Sequence, residues 1–170
     1  MYDIQVKRSF KRLKTVSARL VATTLHVNAP HRMPERELEK MIDHFQERFR
    51  KRELRKAVNR EQNLDAVARK LNGKYFEGRL HWNSIEYVTN HVRKYGCCDC
   101  RTREIRISHR LAAMPAWVRD YLIVHELAHL IEPNHSARFW ALVNRYPYTE
   151  RAKGYLLAKG MEETEVDDRT

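Results

Sequence analysis

The chain has 170 residues, of which 42% are hydrophobic and 32% are charged, and its formal net charge is +11. This length and balance are typical of one globular domain, so neither a disulfide framework nor a structural metal is needed merely to fold it. No apolar run approaches the ~20 residues of a membrane span, and the first residues lack the apolar segment of a secretion signal.

The positive charge is concentrated in one half of the chain. Residues 1–80 contain 20 Lys and Arg against 10 Asp and Glu, whereas residues 81–170 contain 13 against 12. A basic surface attracts phosphate backbones, so the N-terminal half is a candidate for binding nucleic acid. A solvated basic face without a partner is the alternative, because a charge run is weak evidence on its own.

Three cysteines, Cys97, Cys98 and Cys100, lie within four positions. Such an odd and clustered set does not match a secreted disulfide framework and favours a cytoplasmic protein. The set also lacks the Cys-x-x-Cys pairs that surround a tetrahedral ion. We therefore interpret the cysteines as small, semi-buried side chains in a tight loop, rather than as a second metal site or a redox site.

The first sixty residues predict strands followed by a helix. Apolar residues alternate with others over 16–22, so residues 4–28 are expected to form two or three short strands that stop at Ala29-Pro30. A helix is expected over 34–56, because proline suits its first position and apolar residues follow at helical spacing. These residues are Leu38, Met41, Ile42, Phe45 and Phe49.

Residues 63–108 predict a helix and two strands. The helix begins near Asn63 and ends at Gly78. Residues 84–92 and 104–108 alternate like strands, and the cysteines are expected in a loop between them. Arg101-Thr102 is the expected turn of a hairpin.

The rest of the chain predicts three helices and a tail. The first helix runs from Pro115 to Pro133 and is apolar almost all round, as is typical of a helix buried in a core. Ser136 and Thr149 are expected to cap the two helices that follow. Residues 161–170 are acidic and poor in apolar residues, so we expect them to be disordered.

One segment of the buried helix carries the chemistry. His125 and His129 are four residues apart, so they share a helix face and can bind one metal ion. Pro133 breaks the helix, which lets the chain fold back and bring His135 to the same ion. Zinc with three protein ligands keeps its fourth position open for a water molecule. Glu126 can take a proton from that water and later deliver it to the leaving amine.

A structural alternative has two core histidines bonded to the backbone and Glu126 at the surface. We favour the metal site, because two histidines and a glutamate in an apolar helix are costly unless something satisfies them. Three neutral imidazoles suit zinc better than iron or manganese, although nickel or cobalt could also bind.

The sequence resembles the YgjP-like and SprT-like zincin metallopeptidases. The resemblance covers most of the chain to about residue 158, and its most distinctive segment is NHSARFWALV at 134–143. The other similar segments are QVKRSFKRLKTVSARL (5–20), VNAP (27–30), LNGKYFEGRL (71–80), IRISHRL (105–111) and PAWVRDYLIVHELAHL (115–130).

The resemblance implies an α+β fold. It implies a compact zincin-like domain, with a short antiparallel or mixed sheet over the active-site helix, and the residue pattern adds an N-terminal β-hairpin and helix. We expect basic strands and a helix over 1–60, the metallopeptidase core over 61–160, and the tail over 161–170.

The resemblance also implies zinc on His125, His129 and His135, with Glu126 as the catalytic base. Some SprT-like members are proteases that act on proteins crosslinked to DNA, which would give the basic half a purpose. The chain departs from related sequences at residues 95–98, which read Tyr-Gly-Cys-Cys where Trp-Gly-Ser-Cys is usual. It also lacks the C-terminal zinc-ribbon cysteines of some SprT-like proteins.

These observations predict a zinc metallopeptidase that acts on a protein or peptide, with nucleic acid as a candidate partner of the basic N-terminal half and no association with a membrane. The alternative is a non-proteolytic zincin-like module that binds nucleic acid or a protein, and the intact Glu126 favours the enzyme. We expect the substrate to add as a strand along Glu104–Ser108, taken as a sheet edge. The candidates for stabilising the oxyanion are Tyr95, Arg138, Tyr146 and Tyr148.

Overall fold

The structure, a computed structural model, describes residues 2–91 and 93–159. It divides into two compact units, Met1–Leu54 and Arg55–Thr170, each with its own apolar core. Its described residues form six strands, five α-helices and a short 3-10 helix, so the predicted α+β class is confirmed. The tail expected to be disordered, residues 161–170, lies outside the described residues.

The first unit is built on a three-stranded sheet in the order β1-β3-β2. Strand β3 is parallel to β1 and antiparallel to β2, which confirms the N-terminal hairpin. Alternate residues of β3 are buried together with the apolar stripe of helix α1, because side chains in a strand alternate between faces. The bounds are β1 Asp3–Ser9, β2 Ser17–Val21, β3 Thr24–Pro30 and α1 Glu35–Glu61.

The second unit contains a sheet of β4 (Ser84–Val88), β5 (Gly96–Asp99) and β6 (Glu104–Ser108), in the order β4-β6-β5. The prediction that Glu104–Ser108 is a sheet edge is wrong, because β6 is the central strand. It is parallel to β4 on one side and antiparallel to β5 on the other. The cysteine segment, expected to be a loop, forms β5 and so occupies that side of β6.

The turn predicted at Arg101-Thr102 is confirmed, although it joins β5 to β6. The Asp99 carboxylate accepts hydrogen bonds from the backbone N–H groups of Arg101 and Thr102 at 2.9 and 3.0 Å. Such a side-chain turn is favourable because it satisfies backbone donors where the strand ladder stops. Arg103 completes the reversal with a φ of 54°.

Helix α1 continues to Glu61, five residues beyond its predicted end. Its last turns hold β4 in place through the Asn59 side chain, which accepts from the N–H of Tyr87 at 2.8 Å and donates to its carbonyl oxygen at 2.9 Å. The Tyr87 hydroxyl donates to Gln62 just after the helix. These tertiary hydrogen bonds stabilise the last turns of α1, which lie beyond the end of its apolar stripe.

The remaining helices surround the second core. They are α2 Leu64–Phe76, α3 Ala116–Ala128, α4 Ala137–Val143 and α5 Thr149–Ala158, with a 3-10 helix over His109–Ala113. Ser136 caps α4 as predicted, and Asn63, near which α2 was expected to begin, caps that helix. Thr149 does not cap α5, because it is the first helical residue and its hydroxyl donates to carbonyl oxygens of the preceding turn.

Helix α3 lies at the centre of this core. Eight of its thirteen residues are buried, in agreement with the prediction of a helix that is apolar almost all round. Fully burying each large apolar side chain contributes about 1.5–3 kcal/mol, so α3 is held firmly in place. None of the helices in the described residues has both the length and the apolar content that a membrane crossing requires.

Candidate metal centre

The three predicted histidines come together at the C-terminal end of α3. His125 lies in the last turn, His129 follows the last helical residue, and His135 lies on the segment that folds back. One ring nitrogen from each lies within 4.8 Å of the others. The Nε2 atoms of His125 and His135 face each other at 3.2 Å. Three imidazoles at these separations could hold one metal ion.

The reversal that brings in His135 begins earlier than predicted. Helix α3 ends at Ala128, because Leu130 and Ile131 bond to carbonyl oxygens three residues back, which tightens the last turn. The chain then passes Pro133, which has no N–H with which to continue a helix. The Ser136 hydroxyl accepts a hydrogen bond from Phe139 N and starts α4 directly after His135.

The hydrogen bonds of the imidazoles fit a bound metal. His129 Nδ1 lies 3.2 Å from the carbonyl oxygen of Glu132, so it carries the proton and leaves a lone pair on Nε2. His129 Nε2 and His125 Nδ1 are buried and have no hydrogen-bond partner within the residues that the structure describes. An unsatisfied buried nitrogen is unfavourable, and a metal ion would satisfy His129 Nε2 directly.

Burial also keeps these rings neutral. It lowers the pKa of His129 to about 4, and the neighbouring His135 acts in the same direction. Burial, followed by the two other histidines, holds the pKa of His125 well below its usual range. Neutral imidazole is the form that binds a metal, so neither ring needs to lose a proton at neutral pH.

Two aromatic residues of α4, which the sequence analysis did not assign to the site, pack against the histidines. The fully buried Phe139 ring lies 4.8, 4.4 and 4.6 Å from the rings of His125, His129 and His135. Trp140 stacks on His135 at 5.6 Å. Their positions four and five residues after His135, on a capped helix, were the signal that could have identified them.

Glu126 is buried against strand β5. A Cβ atom at Gly96 would lie 2.1 Å from Glu126 Oε1 and 2.7 Å from its Cδ, so only glycine leaves room for this side chain. Burial raises the pKa of Glu126 to about 8, and the positive charge of Lys94 opposes the shift. The alternative that placed Glu126 at the surface is wrong, since its exposed fraction is 4%.

Cys97 and Cys98 lie in the same strand, and Cys100 directly follows it. Gly96 and Cys98 are on one face of β5, because alternate residues of a strand share a face. Cys100 Sγ donates to the carbonyl oxygen of His129 at 3.2 Å. Burial raises the pKa of Cys98, and the nearby Glu126 and Cys100 add to the shift, so its thiol is neutral. The described fold thus brings the cysteine segment beside the centre.

The four oxyanion candidates have different environments. The Tyr146 hydroxyl donates to the carbonyl oxygen of Trp117 at 2.9 Å and is therefore engaged in the core. Tyr95 is buried with its hydroxyl unpartnered in the described residues. Tyr148 and Arg138 are exposed. The structure therefore makes Tyr146 the least available of the four.

Comparison with known proteins gave a family match and two structural matches. The family model described as "YgjP-like, metallopeptidase domain" matches residues 46–158. The chain is 15% identical to the metallopeptidase zymogen of Methanocaldococcus jannaschii jannalysin, with a TM-score of 0.49 over 59% of this chain and 99% of that one. The chain is also 15% identical to the metallopeptidase zymogen of Pyrococcus abyssi abylysin, with a TM-score of 0.47 over 56% of this chain and 92% of that one. No curated protein matches the chain.

Proposed function

The chain belongs to the YgjP-like metallopeptidase family, and from this we propose that it is a zinc peptidase with three histidine ligands and a glutamate base. The ligands would be His125, His129 and His135, and the base would be Glu126. The observation that carries the proposal is the convergence of three imidazoles, together with the buried carboxylate of Glu126 directly after His125 in α3. Three protein ligands leave an open position, as in catalytic rather than structural zinc sites.

Each part of the centre has a role in peptide hydrolysis. Zinc, when bound, supplies a Lewis acid that lowers the pKa of a water molecule and polarises a carbonyl group. Glu126 would accept the proton of the attacking water and return it to the amine that leaves. A cation held by the histidines would favour the ionised carboxylate, which burial alone disfavours. Phe139 is fully buried and packs against all three ligand rings.

The edge of the second sheet is the best place for a peptide substrate. Within the described residues β5 pairs only with β6, so its other side offers backbone N–H and C=O groups to an added strand. Gly96 lies against Glu126, and Cys100 contacts the His129 backbone, so a peptide on β5 would run beside the centre. This location replaces Glu104–Ser108.

The proposal includes association with nucleic acid and a cytoplasmic location. The positive charge of the N-terminal half supports the first, because phosphate contacts dominate binding to nucleic acids. The free thiols of Cys97, Cys98 and Cys100 support the second, because thiols persist in a reducing compartment. The non-proteolytic module remains the second candidate. It is favoured because the positive charge is concentrated in residues 1–80, the part of the sequence without the three histidines.

The substitution Glu126→Gln tests the enzyme directly. It removes the base and keeps the size of the side chain, so zinc should stay bound at about one ion per chain while hydrolysis falls by about 100- to 10,000-fold or more. Substrates should include casein, the protein itself and a protein bound to DNA. Metal content is measured beside His129→Ala, which should lose most of the zinc.

Two results would contradict the proposal. Full zinc content in His129→Ala would move the ligand set elsewhere. A zinc-loaded parent that is inactive on all three substrates, while Glu126→Gln binds nucleic acid as the parent does, would favour the binding module.

A further inference from the structure

We propose that the solvent face of the N-terminal sheet is a binding surface for single-stranded nucleic acid. This deepens the nucleic-acid part of the proposed function and rests on it. We call the surface the polar sheet face and define it by the five polar residues among the seven that line one groove of about 570 Å³. They are Gln5, Lys7, Arg19, His26 and Asn28.

The strand register places these side chains in two rows. Gln5 of β1 and Arg19 of β2 are both paired with His26 of β3, and Lys7 is paired with Asn28. Residues paired across a sheet point to the same face, and residues two apart along a strand do so as well. Each row therefore presents one cation next to amide or imidazole groups that can donate and accept hydrogen bonds.

The cations of this face are available to a ligand. Within residues 2–91 and 93–159, neither Lys7 nor Arg19 takes part in an ion pair. Arg8, on the opposite face of β1, differs: it pairs with Glu35 and donates to the carbonyl oxygen of Met33 at 2.8 Å. Among the described strand residues, Asp3 is the one acidic residue on the same side of the sheet as these five. The face is therefore positive and complementary to phosphate groups.

The loop that follows β1 at the end of this sheet carries an exposed aromatic ring. Phe10 is 76% exposed, and its ring stacks on that of His31 at a centroid distance of 3.8 Å. One side of the aromatic ring is thus supported and the other side is open to solvent. Lys11 and Lys14 flank it in the same loop. Single-stranded sites combine aromatic side chains that stack with bases and cations that follow the backbone.

A single strand suits this surface better than a duplex or a membrane. Bases in a duplex are paired and stacked internally, so Phe10 could not stack on their faces. A membrane could take up the exposed Phe10 and Leu13, but it would not fill a concave groove lined by amides and imidazole. In a single strand, a base could stack on Phe10 while phosphates contact Lys7 and Arg19.

The test measures binding of the full chain to a fluorescent single strand of about 20 nucleotides, as DNA and as RNA, over a range of salt. The double variant Lys7→Ala with Arg19→Ala should bind about tenfold or more weakly. The plot of log affinity against log salt has a negative slope, and the magnitude of that slope should decrease by about 1.4, which is about 0.7 for each lost phosphate contact. Phe10→Ala should weaken binding about tenfold through the loss of stacking.

The matched control is Arg50→Ala with Lys51→Ala on α1, which removes the same charge from residues already paired with Glu47. It should change the affinity by no more than about twofold. Equal losses in both double variants would show a general charge effect and overturn the proposal. Tighter binding of the matching duplex, or binding to phosphatidylglycerol vesicles without binding to the strand, would also overturn it. These measurements need no peptidase assay, so failure of the surface and failure of the enzyme can be told apart.

Discussion

The position of Glu126 depends on a side chain that is absent from Gly96. The two residues are 30 positions apart, and the carboxyl group occupies the space that any Cβ atom at position 96 would need. Gly96 also lies in β5, where the backbone is extended and other residues would be tolerated. The glycine is therefore required by this close approach and not by a turn.

Gly96→Ala should displace the base without removing the metal. A methyl group 2.1 Å from Oε1 forces the carboxylate aside, so we expect kcat to fall by about 10- to 100-fold, because small misplacements of a catalytic group have large effects. KM and zinc content should change little, since neither the ligands nor the outer edge of β5 is altered. Steady-state kinetics and metal analysis of the purified variant provide the measurement.

Gly73→Ala is the control, because a Cβ at that helical position meets no atom within 4 Å. A double-mutant cycle with Glu126→Ala, measured by the free energy of unfolding, tests the same contact without an activity assay. Gly96→Ala should destabilise the parent but have little effect in a Glu126→Ala background, where the clashing atoms are gone. An equal loss of stability in both backgrounds would show that the contact with Glu126 is not the cause.

The ligand residues could be predicted from the sequence, whereas Gly96 could not. His125 and His129 follow from helical periodicity, and Pro133 explains how His135 returns, so all the information lies within one short segment. The contact between Gly96 and Glu126 depends on the register of β5 and on how that strand lies against α3. No local pattern in the sequence encodes that distance.

Helix α4 is the element that keeps the third histidine in place. It has only seven residues, and a helix this short is unstable without packing and capping. Its cap, Ser136, directly follows His135, and its first two turns carry Phe139 and Trp140 against the imidazoles. Fraying of this helix would therefore release His135 together with its supports.

Ser136→Ala should weaken metal binding through the element and not through a ligand. Loss of an N-cap costs about 1 kcal/mol, so we expect the Kd for zinc to rise about fivefold. Asn63→Ala removes the equivalent cap of α2, where the side chain accepts from Ala66 N. It should lower the free energy of unfolding by a similar amount with no more than about a twofold change in Kd. Competition with a chromophoric chelator measures both, and equal Kd changes would contradict this role of α4.

The elements that were predicted wrongly from the sequence are those whose local sequence pattern is weak. Strand β5 has four residues, including one glycine and two cysteines, so its composition resembles a loop until it pairs with β6. The last turn of α1 depends on hydrogen bonds to Tyr87, which is 28 residues away from Asn59. Helix α3 was predicted, apart from its end, because its almost wholly apolar composition is visible in the sequence.

At the scale of the whole molecule, acid stability is linked to a buried histidine outside the metal centre. His91 is 8% exposed, and its Nδ1 atom is buried with no partner in the described residues. Burial lowers its pKa from 6.5 to about 4, and the charges of Lys94, Arg106 and Arg110 act in the same direction. The folded protein therefore binds this proton more weakly than the unfolded chain does.

A depressed pKa gives a stability contribution that is complete above the unfolded value and is lost as the pH falls through the folded value. The free energy of unfolding of the parent should therefore decrease between pH 6.5 and about 4. His91→Asn should show a shallower decrease over the same range, while the gap between the two proteins should stay constant above about pH 7.5. Urea unfolding of both proteins in EDTA makes this comparison, because the contributions of the metal-centre histidines then cancel. Parallel curves would contradict it.

All three histidines of the centre come from eleven consecutive residues, His125 to His135. Closing so short a loop costs little chain entropy, so a denatured polypeptide already keeps much of its ability to chelate an ion. A ligand that also binds the denatured ensemble stabilises the native one by less than its native affinity suggests. Metal release should therefore lag behind the loss of tertiary structure when the protein is denatured.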